Sequence, residues 1–296
     1  MASQENVDEG SAPPTFTVES NERQSHTFIL LHGLGSNGRK FGQEMIDTVV
    51  CLNGRKLTEM FCNARFVFPT AKRRRSNAFG RSKLTQWFDV ASLEDISYRQ
   101  DTQLQGLAES SEVVIKVLHD DQGCAMALSC LLAIDFPVKG FIGMSGWLPF
   151  WADTEQAMGG DVGVGYGDSD GDGDMFFGSN DEDNPLSASS ESGEAVHDHG
   201  VSVIKLFGDL LCLDDLAKPT GETSSISTPT FLGHGSRDEK VSHSFGMSAS
   251  ATLRSIGYGV SRHSYSKHGH WYKSPDEIDG MVDFIESKVG WKIAGT

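Results

Sequence analysis

The stretch VVIKVLHDDQGCAMALSCLLA, from Val113 to Ala133, decides the fold. An apolar run meets a tight polar turn, and Gly123 then leads into a helix of small residues. Elements that alternate in this way across polar turns are typical of α/β proteins. Asp121 holds the middle of the turn, and none of residues 119–124 is a serine.

Short apolar runs that end in glycine-rich or polar turns recur on both sides of this stretch. A continuous apolar run, as opposed to an alternating one, is typical of a buried parallel strand. Helical patterns separate the runs: Asp101 is a good N-cap for a helix reaching Leu118, and a final helix follows Pro275. The sequence therefore predicts a mostly parallel sheet flanked by helices. The predicted strands lie in 28–31, 64–71, 138–150, 227–238 and 259–270.

The start of the final helix resembles a capping box. Ser274 and Glu277 have the polar residue types of such a box, and Pro275 stands at the expected first helical position. One apolar face follows at helical spacing. Its members are Ile278, Met281, Val282, Ile285 and Val289.

An acidic tract interrupts the α/β pattern. Residues 152–225 are rich in Gly, Asp and Ser, and no Lys or Arg occurs between Trp151 and Ile204, where thirteen Asp or Glu occur. Such composition buries too little apolar surface to fold. We expect disorder in 1–25, a first domain part in 26–151, an acidic insertion in 152–225 and a second domain part in 226–292. An apolar island at 201–213 is expected to dock on the domain as a lid.

Part of this tract resembles the start of a calcium-binding loop, through Asp168, Asp170, Asp172 and Gly173. The twelfth position would be Ser179, where such loops carry Glu, and no helical pattern flanks it. A solvated acidic insertion is the favoured interpretation, and no metal or organic cofactor is expected.

Bulk composition narrows the class of partner. The net charge of −16 argues against nucleic acid and anionic membrane surfaces. The five cysteines show no CxxC spacing, which favours reduced thiols inside the cell. The polar start has no apolar signal core, Ala2 excludes myristoylation, and no apolar stretch reaches membrane-spanning length. We expect a cytoplasmic protein, found also in the nucleus, without an integral membrane segment.

Three candidate site residues follow predicted strands. The HGLG turn around Leu34 could offer a backbone N–H to a negatively charged oxygen. Asp238 follows one later strand and His270 follows the next. Chemistry in parallel sheets gathers at the carboxyl ends of strands, and the order acid then histidine is that of α/β hydrolases.

The chain resembles the acyl-protein thioesterase and small carboxylesterase (phospholipase/carboxylesterase) family, in a form similar to fungal members. The matching blocks include ILLHGLGSNG, FVFPTAKRRRS, FGRSKLTQWFDVAS, QGCAMALSCLLAIDFPVKGFIGMSGWLPF, TPTFLGHGSRDEKVS and YSKHGHWYKSPDEIDGMVDFI. The resemblance implies an α/β-hydrolase fold and a Ser-His-Asp hydrolase of carboxylic esters or thioesters, including fatty acyl groups on protein cysteines. Acylated proteins or small acyl esters would be its substrates.

The resemblance also implies roles for individual residues. Asp238 would be the triad acid and His270 the general base, with the backbone N–H groups of Leu34 and Gln122 as oxyanion donors. Three aromatic residues match positions near the substrate pocket, although they suit a plain core equally well. They are Trp87, Phe88 and Trp147.

The match breaks at the nucleophile. The family carries a G-x-S-x-G elbow before CAMAL, whereas this chain reads His-Asp-Asp-Gln-Gly over 119–123, so Asp121 replaces the serine. The loop and short strand expected before the elbow are missing as well. We interpret the loss as a deletion that removes the nucleophile and the central strand of the sheet, leaving two exposed inner edges or a shifted neighbour.

Three hypotheses stay open. In the first, the chain descends from a serine thioesterase or carboxylesterase and this sequence lacks a segment, for instance through a faulty exon boundary. In the second it is a catalytically inactive relative that acts as a binding or regulatory module. In the third Asp121 is itself the nucleophile, as in dehalogenases and epoxide hydrolases. Ser145 and Cys124 are weak nucleophile candidates, and a homodimer is expected.

Overall fold

The computed structural model describes residues 15–118, 125–159, 193–213 and 225–293. Asp121, Gln122, Cys124 and the calcium-type motif therefore lie outside the described residues. The strands are β1 Phe16–Val18, β2 His26–Ile29, β3 Ala64–Phe68, β4 Arg73–Ser76, β5 Ser82–Thr85, β6 Phe141–Met144, β7 Thr230–Gly235 and β8 Val260–Tyr265. The helices are α1 Gly38–Thr48, α2 Leu57–Met60, α3 Asp101–Leu118, α4 Ala125–Ala133, α5 Trp151–Ala157, α6 Gly193–Leu210, α7 His243–Ile256 and α8 Asp276–Phe284.

The main strands form two three-stranded sheets. One has the order β1-β3-β2, with β2 parallel and β1 antiparallel to β3. The other has the order β6-β7-β8 and is entirely parallel. Strands β4 and β5 pair separately as an antiparallel hairpin. The predicted parallel α/β architecture is confirmed, with helices packed against the sheets.

The two sheets face each other across a gap. Among the described residues no strand lies between β2 and β6, so each of these strands ends its own sheet. Roughly 1080 Å³ of empty space, part of it open to solvent, separates them. The expectation that a missing central strand leaves two exposed inner edges stays a prediction.

The N-terminal prediction was wrong for the end of its range. Residues Phe16–Val18 were expected to be disordered, but they form β1 on the outer edge of β3. The Phe16 ring packs against Phe68 with centroids 5.8 Å apart. The guanidinium of Arg39 lies over the Phe16 ring, 5.1 Å from its centroid. This contact with the core orders a strand too short to stand out in the sequence.

The apolar island of the acidic tract docks on the domain, as expected, and it does so as a buried part of a helix. It belongs to α6, in which Val203 and Phe207 are fully buried together with Leu211 just beyond the helix. These side chains join the core cluster around α4, whose residues are buried on all sides. The helix is therefore part of the core, because its apolar face meets another apolar helix and not the solvent.

The final helix begins differently from the predicted capping box. Pro275 is the N-cap and the helix starts at Asp276. The Ser274 hydroxyl donates to the carbonyl of Val50, and the Glu277 carboxylate accepts from the Lys273 N–H at 2.8 Å. The predicted apolar face is confirmed, since Ile278, Met281, Val282 and Ile285 are buried and Val289 is half-buried.

Candidate active site

Asp238 lies in the loop after β7, and its side chain is completely buried. Its Oδ1 accepts hydrogen bonds from the backbone N–H groups of Lys240, at 2.8 Å, and Val241, at 2.9 Å. Burial opposes ionisation, but the Val241 N–H and the His270 imidazole outweigh it, so the pKa of Asp238 is lowered. The result is a fixed, ionised carboxylate inside the protein.

His270 lies in the loop after β8 and meets this carboxylate. Its Nδ1 is 2.9 Å from Oδ2 and 3.1 Å from Oδ1 of Asp238. Because an ionised carboxylate only accepts, Nδ1 carries the proton and Nε2 keeps its lone pair. The side chain is 41% exposed, so the basic nitrogen belongs to a ring that a substrate can reach.

Backbone contacts hold the two loops together. The Arg237 N–H donates to the carbonyl of His268 at 2.8 Å, and the Ser236 N–H donates to Tyr265 at 3.0 Å. Gly235 permits this approach, since a Cβ there would stand 2.3 Å from the Gly269 oxygen. The pairing of Asp238 with His270 thus follows from adjacent parallel strands whose loops leave on the same side.

A second histidine supports the acid, and the sequence reasoning missed it. His234, on β7, is buried; its Nε2 donates to the Val241 carbonyl at 3.0 Å and lies 3.2 Å from Oδ2 of Asp238. Burial lowers its pKa and keeps it neutral. Its place four residues before Asp238, at the end of a strand, was the available signal.

The HGLG turn is built around a buried histidine. His32 Nδ1 donates to the Gly33 carbonyl at 2.8 Å, while its Nε2 accepts from the Ala71 N–H at 3.1 Å. In the described part of the chain the Leu34 N–H makes no hydrogen bond, and the residue is 43% exposed. An unbonded, accessible N–H is what an oxyanion donor requires. The second predicted donor, Gln122, is outside the described residues.

The three predicted pocket aromatics have different surroundings. Trp87 is buried and its Nε1 donates to the His32 carbonyl at 2.9 Å, which ties it to the HGLG turn. Phe88 is buried in the core and meets the half-buried Trp147 edge to face at 6.0 Å. Trp147 also packs against the cluster that contains Val241, next to the loop of Asp238. A role in substrate contact stays a prediction for all three.

The nucleophile position falls in 119–124 and is not described. Ser145, which follows β6, has a φ of 48°, the left-handed conformation also found at strained catalytic turns. No hydrogen bond joins Ser145 to His270 in the described ranges. The described residues thus bring the predicted acid and base together, and the oxyanion role of Leu34 stays a prediction.

The described ranges contain neither a metal-binding cluster nor a membrane-spanning helix. Within the described residues, no three His, Cys, Asp or Glu side chains gather closely enough to hold a metal ion. Every helix in these same ranges is too short or too polar to cross a membrane. The described cysteines, Cys51, Cys62, Cys130 and Cys212, are all unbridged.

Comparisons with known proteins find sequence similarity to esterases and thioesterases. The sequence profile of the phospholipase/carboxylesterase family matches residues 13–121 and so ends at the altered turn. Acyl-protein thioesterase 1 of Debaryomyces hansenii is 21% identical over 280 residues, covering 87% of this chain and 89% of the relative. Acyl-protein thioesterase 1 of Yarrowia lipolytica is 24% identical over 152 residues, covering 46% of this chain. That match spans only 63% of the length of the Yarrowia relative.

Solved structures share the fold. Acyl-protein thioesterase 2 of Zea mays superposes with a TM-score of 0.59 at 22% identity, over 94% of this chain and all of that chain. Arabidopsis thaliana SOBER1 gives a TM-score of 0.54 at 17% identity, over 90% and 97% of the two chains. At these identities the likeness shows the α/β-hydrolase fold.

Proposed function

We propose a serine-type hydrolase site for carboxylic esters and fatty acyl thioesters, on the premise that the chain has the α/β-hydrolase fold and resembles the phospholipase/carboxylesterase family. The observation that carries the proposal is the 2.9 Å contact between His270 Nδ1 and the buried Asp238 carboxylate. These residues lie in the loops after two adjacent parallel strands, and the exposed imidazole keeps a basic nitrogen.

The proposed mechanism uses the described residues in named roles. His270 takes the proton from the attacking hydroxyl and returns it to the leaving group. Asp238 holds the imidazole and stabilises its charged form, while His234 and the Val241 N–H fix Asp238. The Leu34 N–H binds the developing oxyanion. The attacking serine belongs to a strand-and-elbow segment before Gln122 that this sequence lacks.

The substrate class and location are part of the proposal. Acylated proteins and small acyl esters suit this family, and removal of fatty acyl groups from protein cysteines is the proposed reaction. The relatives named acyl-protein thioesterase support this choice. We propose a cytoplasmic or nuclear protein that acts as a homodimer and needs no cofactor.

The test compares the chain as written with a version that carries a Gly-x-Ser strand-and-elbow segment before Gln122. We expect p-nitrophenyl octanoate hydrolysis only by the restored protein, because loss of the nucleophile costs on the order of 10⁶ in kcat. His270→Ala in the restored protein should abolish this activity. A restored protein that folds but has no activity would contradict the proposal.

Activity in the chain as written would point elsewhere. Loss of that activity in Asp121→Asn, with halide release or epoxide opening, would favour the aspartate nucleophile. Loss in Ser145→Ala would instead identify the left-handed serine after β6. If the transcript encodes no Gly-x-Ser segment and neither version hydrolyses esters, the chain is a binding module.

A further inference from the structure

The hairpin of β4 and β5 concentrates positive charge in a chain whose net charge is −16. Six of the twelve residues from Lys72 to Lys83 are Lys or Arg, and none of the twelve is acidic. Two of the six pair with Glu109 of α3, Lys72 at 3.2 Å and Arg74 at 2.8 Å. These ion pairs fasten one face of the hairpin to the helix.

The other face of the hairpin keeps its charges unpaired. Side chains alternate along a strand, so Arg73 and Arg75 lie on the face away from α3. Lys83 of β5 stands directly opposite Arg75. All three are exposed, and in the described part of the chain none of them forms an ion pair. The acid beside the turn, Asp89, accepts hydrogen bonds from Asn77. We call Arg73, Arg75 and Lys83 the basic face.

The basic face costs the hairpin stability. Like charges directly opposite each other on neighbouring strands repel, as Arg75 and Lys83 do. Both arginines are nevertheless held in place, since Arg73 donates to the Lys83 carbonyl at 3.2 Å and Arg75 to the Arg81 carbonyl at 3.3 Å. Each guanidinium keeps further N–H donors for a ligand. An anionic partner explains this arrangement better than the stability of the hairpin does.

The base of the hairpin touches the HGLG turn. The Gly35 N–H donates to the Thr85 carbonyl at 2.9 Å, and Thr85 pairs in register with Arg73. The basic face therefore begins beside the turn that carries Leu34 and runs away from it along the hairpin. A strand of four residues is about 13 Å long. The residues next to an acylated cysteine at the proposed site would therefore reach the basic face.

The spacing of the charges suits an extended peptide. Arg73 and Arg75 are two residues apart on one strand, which corresponds to about 7 Å. Carboxylates at alternate residues of an extended peptide have the same spacing. A short acidic segment meets only the local charge, because salt screens exposed charges beyond about 8 Å. A membrane surface or a long nucleic acid would also meet the acidic remainder of the chain.

We propose that the basic face binds an acidic segment of the acylated protein substrate, with carboxylates at alternate residues beside the acylated cysteine. This inference rests on the proposed function and adds a preference among its substrates. Exposed charges of this kind contribute specificity and a faster encounter more than tight binding.

The first experiment measures binding by calorimetry with the full chain as written. The ligand is acetyl-Gly-Cys(S-octyl)-Gly-Glu-Ala-Glu-amide, a thioether that cannot be hydrolysed, and the matched control has Gln in place of both Glu. We expect the acidic peptide to bind ~5-fold more tightly in about 50 mM salt, and the difference to vanish near 0.5 M. No binding of the acidic peptide, or equal binding of the two at low salt, would overturn the proposal.

A double variant then tests the basic face itself. Arg75→Gln combined with Lys83→Gln removes the facing charges, and the fold should persist because the repulsion is removed too. We expect this variant to lose the preference for the acidic peptide. Lys288→Gln combined with Lys292→Gln is the control, since it changes the net charge equally at exposed positions beyond α8. A preference that survives in the hairpin variant, or is lost in the control, would contradict the proposal.

The restored protein separates this inference from the proposed function. With a Gly-x-Ser segment before Gln122, p-nitrophenyl octanoate reports the reaction alone, and S-octanoyl versions of the two peptides report the preference. We expect KM for the acidic thioester to be ~5-fold lower at similar kcat. Ester hydrolysis without this difference would overturn the inference and leave the proposed function standing. Absence of any hydrolysis would contradict the proposed function, and the binding experiment would still decide the inference.

Other ligands of the basic face are outcomes of the same binding assay. Vesicles with one-third phosphatidylserine and a twelve-nucleotide oligothymidylate are compared with the peptide at equal concentrations of negative charge. Tighter binding of either one, lost in the hairpin variant, would overturn the proposal. Binding of the peptide only after deletion of residues 160–192 would show that the acidic tract of this chain occupies the basic face, and would overturn it as well.

Discussion

At the scale of single residues, the candidate site depends on a carboxylate held by three different donors. Asp238 accepts from the loop backbone and from His270, and His234 stands behind it. Folding has already immobilised the Asp238 side chain. The imidazole of His270 therefore needs little reorganisation to act as a base. The sequence shows Asp238 and His270 clearly, but it gives no sign that the nearby His234 is neutral and buried.

Substitution of His234 tests this support. His234→Phe keeps the aromatic volume but removes the hydrogen bond to the Val241 carbonyl. A buried carbonyl without a partner costs about 1–3 kcal/mol, and we expect the free energy of unfolding to fall by that amount. Urea denaturation at pH 7.5 would measure it. An unchanged midpoint would mean that His234 contributes nothing to the loop of Asp238.

Glu277 is the buried acid that the proposed mechanism does not use. It is 2% exposed, and one oxygen accepts from Lys273 while the other, Oε1, has no partner in the described part of the chain. Burial raises the pKa of Glu277 to about 7, from 4.5. The folded state thus holds this proton more tightly than the unfolded state, and stability falls as the pH rises from 4.5 through 7.

Glu277→Gln should remove this pH dependence, because the amide keeps an acceptor for Lys273 and cannot ionise. Above pH 7 we expect the variant to be more stable than the parent by up to about 3 kcal/mol, and below pH 4.5 to be nearly equal to it. Thermal unfolding at pH 4.5, 6 and 8 would check the prediction. A constant difference between the two proteins at all three values would contradict it.

At the scale of elements, apolar runs ending in polar turns predicted five strands, and burial on both faces gives the strongest signal for β3 and β7. Strand β1 was missed, since three residues next to a polar lead-in owe their order to Phe68 and not to local pattern. Helix α6 was not predicted, because its apolar residues are preceded by an acidic, low-complexity stretch of sequence. The cap of α8 was predicted from residue types, but the Ser274 hydroxyl donates its hydrogen bond to the distant Val50 carbonyl and does not cap the helix.

Close packing of α1 against β3 gives a prediction at this scale. Gly38 opens α1, and a Cβ there would stand 2.1 Å from the Phe68 oxygen, which is backbone and cannot move aside alone. Gly38→Ala should therefore lower the free energy of unfolding by about 1–3 kcal/mol. Gly208 of α6 is the control, since its Cβ would meet nothing within 4 Å. Gly208→Ala should stabilise by about 0.4–1 kcal/mol, and chemical denaturation would rank the two.

At the scale of the whole molecule, the break in the sequence and the gap in the sheet have one explanation. The family match ends at residue 121, and the described sheets end at β2 and β6. The sequence predicted the lost strand from the short distance between α3 and Gln122. The sequence could not predict whether the neighbouring strands would move together and pair in place of the lost strand. That outcome depends on how each half of the sheet packs against its helices. One apolar cluster answers this, since it joins Phe66 and Phe68 of β3 with Phe231 of β7 and so holds the two half-sheets together.

Restoring the strand should therefore stabilise the protein even without catalysis. We expect insertion of a strand-and-elbow segment before Gln122, with alanine in place of the elbow serine, to raise the free energy of unfolding by a few kcal/mol, because it pairs both edges and buries Phe28 and Ile142. An insertion of the same length made of Gly and Ser is the control, and it should give no gain. Urea denaturation followed by tryptophan fluorescence and circular dichroism would measure both. Equal stability of the two insertions would show that the gap between β2 and β6 is not a place for a strand, and would separate the loss of the nucleophile from the gap in the sheet.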